Sequence, residues 1–562
     1  MISSSTWVPR GYASEFPEKY ELNDEEMERI NQMANLELND AKEDLEEAKK
    51  TSKLKDQIEI DDDLKEYDLE NYDNDEIDET GEKITMFPGL SNTSAKIHDN
   101  ENGDGENDES NDVYLTLPNE IDEQEEKKEN QIYPTDNLVL ATRTEDDISW
   151  LDIYIYDDGA GAPNGAEEEE EDKLDADVAN GLVRDSTLYV HHDIMLPAFP
   201  LCVEWINYTP GQEQVEGSNI GNFAAVGTFD PQIELWNLDF VDKAFPDVIL
   251  GEASTTKKTK KKKKSGHITT HHTDAVLSLS HNRIHRSILA STSADTTVKL
   301  WDLNNGTAVR SLSQIHHGRT VSSSQWHSHE ASILLTGGYD SKAAITDVRI
   351  SDESQMSKYY SVAKGEDVEN IRWSSNPEIF YVGTDQGNVY CFDIKNESKP
   401  LWTLHAHDAG ISSLDINNYI SGMLVTSAMG DKSVKLWKAP ETSGTGPSMI
   451  LSRDFGVGNV LTTSYANDIE VAGNLVIGGV TGGLKMWDTF SNRSVKNGFK
   501  DELRNLQIKA REEAKLSGRA SRIARKYQQD YNDTILEAEG GKDDESEEED
   551  DEEIGEYEEE ED

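Results

Sequence analysis

Ser287–Asn304, SILASTSADTTVKLWDLN, is the stretch whose reading decides the fold. Within VKLW, Val298 and Leu300 fall on one face and Lys299 and Trp301 on the other, the two-residue period of a β-strand. ILAST ahead of it is a second strand. SADTT between them is a tight reversal, because Asp and Thr side chains can bond nearby backbone. The same hairpin recurs at 222–239 (NFAAVGTFDPQIELWNLD), 332–349, 378–395, 422–439 and 474–490, with a fainter copy at 137–158. Trp236, Trp301, Trp437 and Trp487 close four copies; Thr346 and Phe392 take the Trp place in two others, and Tyr156 precedes Asp157 in the faint one. That makes seven.

From Trp301 onward the closing positions are 45, 46, 45 and 50 residues apart. A period of about 40–45 residues ending in Trp-Asp marks WD40 blades, each a four-stranded sheet. One blade cannot bury both its faces, so blades stack radially and close into a ring. The expected fold is all-β: a seven-bladed WD40 β-propeller with disordered acidic extensions and flanking helices.

The chain has 562 residues, 113 acidic and 53 basic, a formal charge of −60, and 35% hydrophobic residues. The excess acid lies in the first third and the last twenty residues. Two cysteines, Cys202 and Cys391, supply no disulfide framework, and no apolar run approaches a membrane span, so a soluble intracellular protein is expected. The domain reading is an acidic N-terminal extension over 1–111, a propeller over 112–497, a basic helical segment over 498–538 and an acidic tail over 539–562. Two insertions lengthen the early blades, one acidic (158–182) and one lysine-rich (254–266).

Within the N-terminal extension, Trp7, Pro9, Arg10, Phe16 and Tyr20 read as a docking peptide, seated on its own propeller or on a partner. An amphipathic helix is expected from Asn23, with an apolar stripe from Met27 to Ala48. Asp112–Pro118, DVYLTLP, reads as a strand supplying the outer edge of the last blade and so tying the ring shut.

Two blades carry a repeated polar set: His272, Ser291, Asp295 and Trp301 in the third, and His407, Ser427, Asp431 and Trp437 in the sixth. Blade four keeps His317, Thr336 and Asp340 without the Trp. A hydrolytic triad needs an exposed nucleophile and an oxyanion site, and a set repeated blade by blade needs neither. It reads as structural relays, so no catalytic residue is assigned. His271-His272, His316-His317 and His405 with His407 lack the partners of a metal site, so no metal or other cofactor is expected, nor a small-molecule substrate.

The run Lys257, Lys258, Lys260, Lys261, Lys262, Lys263 and Lys264 reads as a projecting loop, either a nuclear import signal or a phosphate-contacting arm. After Gly498, one stripe (Phe499, Leu503, Leu506, Ala510, Ala514) and a second (Ile523, Tyr527, Tyr531, Ile535) predict one helix or two. Arg504, Arg511, Arg519, Arg522, Arg525 and Lys526 on it are candidate RNA contacts, set by charge rather than base reading. From Asp543, sixteen of twenty residues are acidic, and Ser546 within DDESEEED is a candidate acid-directed phosphorylation site.

WVPRGYASEFPEKYEL, TRTEDDISWLDIYIYDD and LASTSADTTVKLWDL, together with the order of the two insertions and the acidic end, resemble the periodic tryptophan protein family over nearly the whole chain. The resemblance implies a nuclear, mostly nucleolar factor in ribosome biogenesis. It would act without enzymatic activity, scaffolding pre-ribosomal particle proteins and pre-rRNA during maturation of the large subunit. Alternatives from other classes are a histone-binding chromatin module influencing rRNA gene transcription and a scaffold subunit of a cytoplasmic complex. Thr346, Gln386 and Thr481 depart from the WD40 pattern and put individual relays in doubt.

Overall fold

The computed structural model describes residues 1–20, 130–158, 186–211, 219–251, 268–442, 444–517, 521–524, 526–527 and 534–538. Among them are seven four-stranded antiparallel sheets, the blades of a propeller, and one two-stranded parallel sheet. Each hairpin found in the sequence supplies the second and third strands of a blade, such as Ile288–Ser293 with Val298–Asp302 in blade three. Thr187–Leu196 returns after the acidic insertion as the fourth strand of blade one. Val248–Leu250 is the outer strand of blade two, while Phe240–Val241 pairs with Glu18–Lys19.

Both ends of the ring differ from the sequence expectation. The innermost strand of blade one is Ile2–Val8, paired along Asn137–Glu145, so the propeller begins at the N-terminus rather than at 112. The outer strand of blade seven is Ile535–Glu537, paired with Lys485–Asp488. That place was assigned to Asp112–Pro118, which lie outside the described residues, as do the helix expected from Asn23 and the acidic stretches. The correction has a physical reason: strand pairing across hundreds of residues leaves no local period, and a three-residue strand has almost none of its own.

The seven inner strands pack around the axis and share one device. Each carries a register shift after its first residue, for instance between Val321 and Ser323 and between Val460 and Thr462. The residue at the shift is freed from the ladder and can turn to the next blade. Ser3 Oγ donates to Pro200 O (2.8 Å), Ser322 Oγ to Val368 O (2.5 Å) and Ser412 Oγ to Val460 O (2.7 Å). A second layer stitches deeper. Trp326 N donates to Ser280 Oγ, Trp373 N to Gln325 Oε1, Tyr465 N to Asp415 Oδ2 and Trp7 Nε1 to Ser464 O. Small residues allow this approach: a Cβ on Gly478 would lie 2.7 Å from Ile2 Cγ2. At Gly387 both space and φ (+73°) demand glycine, since a Cβ there would meet His407 O at 2.0 Å.

After blade seven's third strand come two helices, α1 (Arg493–Gly498) and α2 (Lys500–Ser517). Asn492 caps α1 by accepting from Ser494 N. The first predicted stripe is buried throughout: Phe499, Leu503, Leu506 and Ala510 join the core of blades six and seven, and Ala514 is buried too. The second stripe is not one helix. Ile523 and Tyr527 are buried in turns, and Ile535 begins the closing strand. No helix among the described residues is long and apolar enough to cross a membrane.

Candidate functional site

The polar sets of the blades are relays. In blade three, Trp301 Nε1 donates to Ser291 Oγ (2.8 Å), Ser291 meets His272 Nε2 (2.7 Å), and His272 Nδ1 meets Asp295 Oδ2 (2.9 Å). Burial lowers the His272 pKa, which keeps the ring neutral with its proton on Nδ1 facing the carboxylate. Burial alone would raise Asp295; the His272 and Thr297 donors outweigh it and hold the carboxyl far below its usual range. Ser291 is fully buried and shared by two partners, so it cannot serve as a nucleophile.

Blade six corrects the sequence reading by one residue. His407 Nε2 and Trp437 Nε1 both meet Thr426 Oγ1 at 2.9 Å, whereas Ser427 Oγ faces Ser412 Oγ at 3.0 Å. The hairpin turn before Asp431 is one residue longer than in blade three: Thr426 pairs with Lys435, nine positions on, where Ser291 pairs with Lys299, eight on. Counting back from the tryptophan therefore lands on the wrong hydroxyl. Blade four makes the same point: His316, not His317, bonds Thr336 (2.9 Å) and Asp340 (2.8 Å). In blade five a carboxylate takes the imidazole's place, and Glu366 accepts from Thr384 Oγ1, Asn388 Nδ2 and Tyr390 OH.

The N-terminal arm docks in cis. Trp7 is 2% exposed in the inner strand; Tyr12 packs edge-on against Trp205, and Tyr20 edge-on against Phe240. Arg10 pairs with Asp158 (2.6 Å) and Asp468 (3.5 Å). Trp7, Arg10 and Tyr20 are thus propeller residues rather than free docking groups. Pro9 follows the strand half-buried, and Phe16 remains 48% exposed.

Arg10 belongs to a charged cluster where blade one meets blade seven and the C-terminal segment. Arg522 lies 3.9 Å from Asp158, Ser521 Oγ donates to Glu470, and Lys526 Nζ sits 2.6 Å from Asp488. Tyr527 OH donates to the same Asp488 carboxylate. Burial works against the Lys526 charge, but Asp488 outweighs it and the ammonium pKa is raised. Arg522 and Lys526 therefore face inward to acids and are not free to hold RNA, which corrects their assignment. The sequence hint was their place within the second apolar stripe.

Arg504 and Arg511 point outward on α2, joined by exposed Lys509 and Lys515 and by Ile508 (48% exposed) and Leu516 (89%). Arg511 also donates to Ala524 O at 3.4 Å. Arg519, Arg525, Ser546 and the whole lysine run 257–264 lie outside the described residues. No group of three or more His, Cys, Asp or Glu among the described residues is placed to hold a metal ion.

The family model for the WD domain, G-beta repeat, matches residues 263–302 and 398–438, which end on the Trp301 and Trp437 hairpins. Periodic tryptophan protein 1 of Saccharomyces cerevisiae is 60% identical over 95% of this chain and 96% of its own length. A Drosophila melanogaster homolog of that name is 30% identical over 82% of this chain and 88% of its own. Over a shorter stretch, 22% of this chain and 30% of the relative, histone acetyltransferase type B subunit 2 of Kluyveromyces lactis is 32% identical. With the ring, its relays and its N-terminal signature in place, the chain belongs to the periodic tryptophan protein 1 family of WD-repeat propellers.

Proposed function

We propose that this protein is a non-enzymatic assembly factor in ribosome biogenesis, a propeller that scaffolds proteins of the pre-ribosomal particle and pre-rRNA as the large subunit matures in the nucleolus. The observation that carries the RNA part is the outward face of α2. In a chain of charge −60, Arg504, Arg511 and Lys515 share one side of α2, which is anchored to the ring, and form no ion pair among the described residues; exposed Lys509 lies on the other flank of the helix. Such a row meets phosphates and positions a backbone without reading its bases. The lysine run 257–264 serves the same reading as an import signal or a second phosphate contact. Ser546 in the acidic tail is proposed as a phosphorylation site, and an unmodified residue in native protein would refute that.

The test is crosslinking and sequencing of bound RNA from cells carrying a C-terminally tagged copy. Deleting 499–538 is unsuitable, because it also removes blade seven's outer strand. The informative variant is R504E/K509E/R511E/K515E. Crosslinks at discrete sites in large-subunit pre-rRNA that fade in the variant support the reading; their persistence moves the contact elsewhere, and their absence from both refutes it. A second reading, histone binding by an acidic propeller, is favoured by the likeness to the histone acetyltransferase subunit. Histone co-purification without pre-rRNA would establish it.

A further inference from the structure

Blade one stands taller than its neighbours. In the other six blades the second strand stops where it faces the first residue of the inner strand, at Thr228, Ser293, Gly338, Thr384, Ala428 and Gly479. In blade one that residue is Arg143, opposite Ile2. The hairpin runs on, with Thr144 opposite Ser149 and Glu145 opposite Ile148, to a turn at Asp146 and Asp147. Two more residues at about 3.4 Å each carry its ladder about 7 Å past the others. The outer strand follows, with Met195 opposite Trp150 and Leu196 opposite Ser149.

The two flanks of this raised sheet differ. Leu151, Ile153, Ile194 and Leu196 point toward blade two and share its core, whereas Tyr154, Tyr156 and Leu188 point toward blade seven. Arg143, Trp150 and Met195 form one row across the strands, continuous with Ile2, which lies against Gly478 of blade seven. Alternation therefore puts Ile148, Trp150, Asp193 and Met195 on the blade-seven flank. Blade seven's second strand ends at Gly479 and leaves them uncovered. Ile148 is 45% and Met195 61% exposed, and Trp150 is half-buried under the Arg143 guanidinium at 4.4 Å.

The same flank is acidic. Glu145, Asp146, Asp147 and Asp193 are exposed, and Asp152 is buried below them. Against these five stand two cations among the described residues. Arg143 is held by Asp152 at 2.7 Å and Glu145 at 3.2 Å, and the Met1 amino group donates to Thr144 O at 2.5 Å. Lys485 of blade seven is taken by Glu537 at 3.4 Å. Burial raises the Asp152 pKa, Arg143 opposes the rise and Asp193 adds to it. The surplus is three negative charges. Asp146 and Asp147 hold φ 47° and 67°, a turn that Asn-Gly would make with less strain and without charge. Nearby, the chain leaves the ring at Ala538, packed in the seam of blades one and seven, and sixteen of the twenty residues from Asp543 are acidic.

We propose that the blade-seven flank of this hairpin docks a lysine- and arginine-rich segment of a protein partner, seating an apolar side chain of that segment on Ile148 and Met195 and its cations on Glu145, Asp146, Asp147 and Asp193. The surplus acid repels nucleic acid and anionic lipid, so the partner is a cationic protein. The exposed apolar pair favours a segment that is not purely ionic. The chain's own lysine run is placed elsewhere: it departs after Gly251 and returns before Ile268, between blades two and three, whereas this flank faces blade seven. α2 meets the ring on its other face, where Lys438 at the end of blade six's third strand pairs with Glu502 at 2.8 Å. The docking flank is therefore separate from the proposed RNA contact.

The experiment follows the fluorescence anisotropy of two labelled sixteen-residue peptides titrated with the full chain at low salt. One is four repeats of Lys-Arg-Leu-Lys, the other four of Lys-Arg-Ser-Lys, so their charges are equal. The leucine peptide should bind at least ten-fold more tightly. D146N/D147N/D193N should weaken both at least ten-fold, since asparagine tolerates positive φ as aspartate does but carries no charge. I148S/M195S should bring the leucine peptide down to the serine one. Both variants are checked for an unchanged melting temperature. Equal binding of the two peptides by the native chain overturns the proposal. So does binding that survives both variants and is lost when the chain ends at 538, which assigns it to the acidic tail. A labelled sixteen-nucleotide RNA whose binding is weakened by I148S/M195S also overturns it.

Discussion

Replacing Asp488 by Ala should open the C-terminal end of the ring while leaving the other blades closed. The Asp488 carboxylate receives Lys526 Nζ at 2.6 Å and the Tyr527 hydroxyl at 2.7 and 2.8 Å, and it caps Phe490 N at 3.2 Å. Breaking a buried pair by removing one partner costs about 3–5 kcal/mol. Lys526 keeps 19% of its side chain exposed, which places its share near the lower end. An orphaned buried hydroxyl costs about 1–3 kcal/mol. Both groups use one carboxylate, so the costs overlap rather than add. Tyr527, held at φ 70°, relaxes once released and returns part of the loss. The expected net is about 3 kcal/mol, felt locally, because Ile535–Glu537 is held by only three pairings. At about 1.4 kcal/mol per tenfold, the amides of Lys485–Asp488 should exchange with deuterium roughly a hundred-fold faster. Those of Val298–Asp302 in blade three should not change. If exchange in blade seven shifts by less than about three-fold, the cluster does not hold the closing strand and the reasoning fails.

Other outcomes follow from the same geometry. Thr426→Val should lower unfolding free energy by about 2 kcal/mol, leaving His407 and Trp437 without their shared hydroxyl. Ser427→Ala should cost under about 1 kcal/mol, and the reverse order in urea titrations would restore the register read from sequence. Trp7→Ala should cost about 3–5 kcal/mol, seen as a lowered melting temperature, since the ring is 2% exposed and donates to Ser464 O. Burial pushes the Glu234 carboxyl up to about 7 despite the Trp236 donor, so the folded state binds a proton that the unfolded chain has released. Stability should therefore fall as pH rises from about 4.5 to 7, and Glu234→Gln should remove that slope and stabilise the protein at pH 8 by about 2–3 kcal/mol. A slope unchanged in the variant would assign it elsewhere.

Most of the ring was legible because a hairpin writes its own period. The second and third strands of every blade are consecutive, and in every blade but the fourth, where Thr346 stands, they end on a large aromatic residue that fills the same place. What escaped was non-local or one residue off. Trp7 and Val8 were visibly apolar, yet nothing in Ile2–Val8 says that its ladder partner begins at Asn137. Ile535 fell on a helical spacing with Tyr527 and Tyr531, and three residues cannot contradict that pattern. His316 and His317 are neighbours of equal chemistry, separated only by backbone, since His317 takes φ 51° and turns to Tyr359. Arg522 and Lys526 carried the charge expected of RNA contacts; that Asp158 and Asp488 would claim them is a fact of tertiary packing.

Ring closure by both ends of the chain sets a schedule for biosynthesis. Ser5 must meet Thr462, its partner across the blade one–blade seven seam at 3.0 Å, and the seam is sealed only when Ile535–Glu537 arrives. At about 5–20 residues per second, some 25 to 110 seconds separate synthesis of the first strand from that of the last. Until Asn137–Glu145 is made the ISSSTWV strand has no ladder partner, and until blade seven's first strand arrives the Trp7 indole lacks the Ser464 carbonyl, so it presents the kind of edge that recruits another chain. A nascent-chain chaperone that recognises an extended N-terminal apolar strand would shorten the exposure, and a propeller stalled before residue 535 would remain its client.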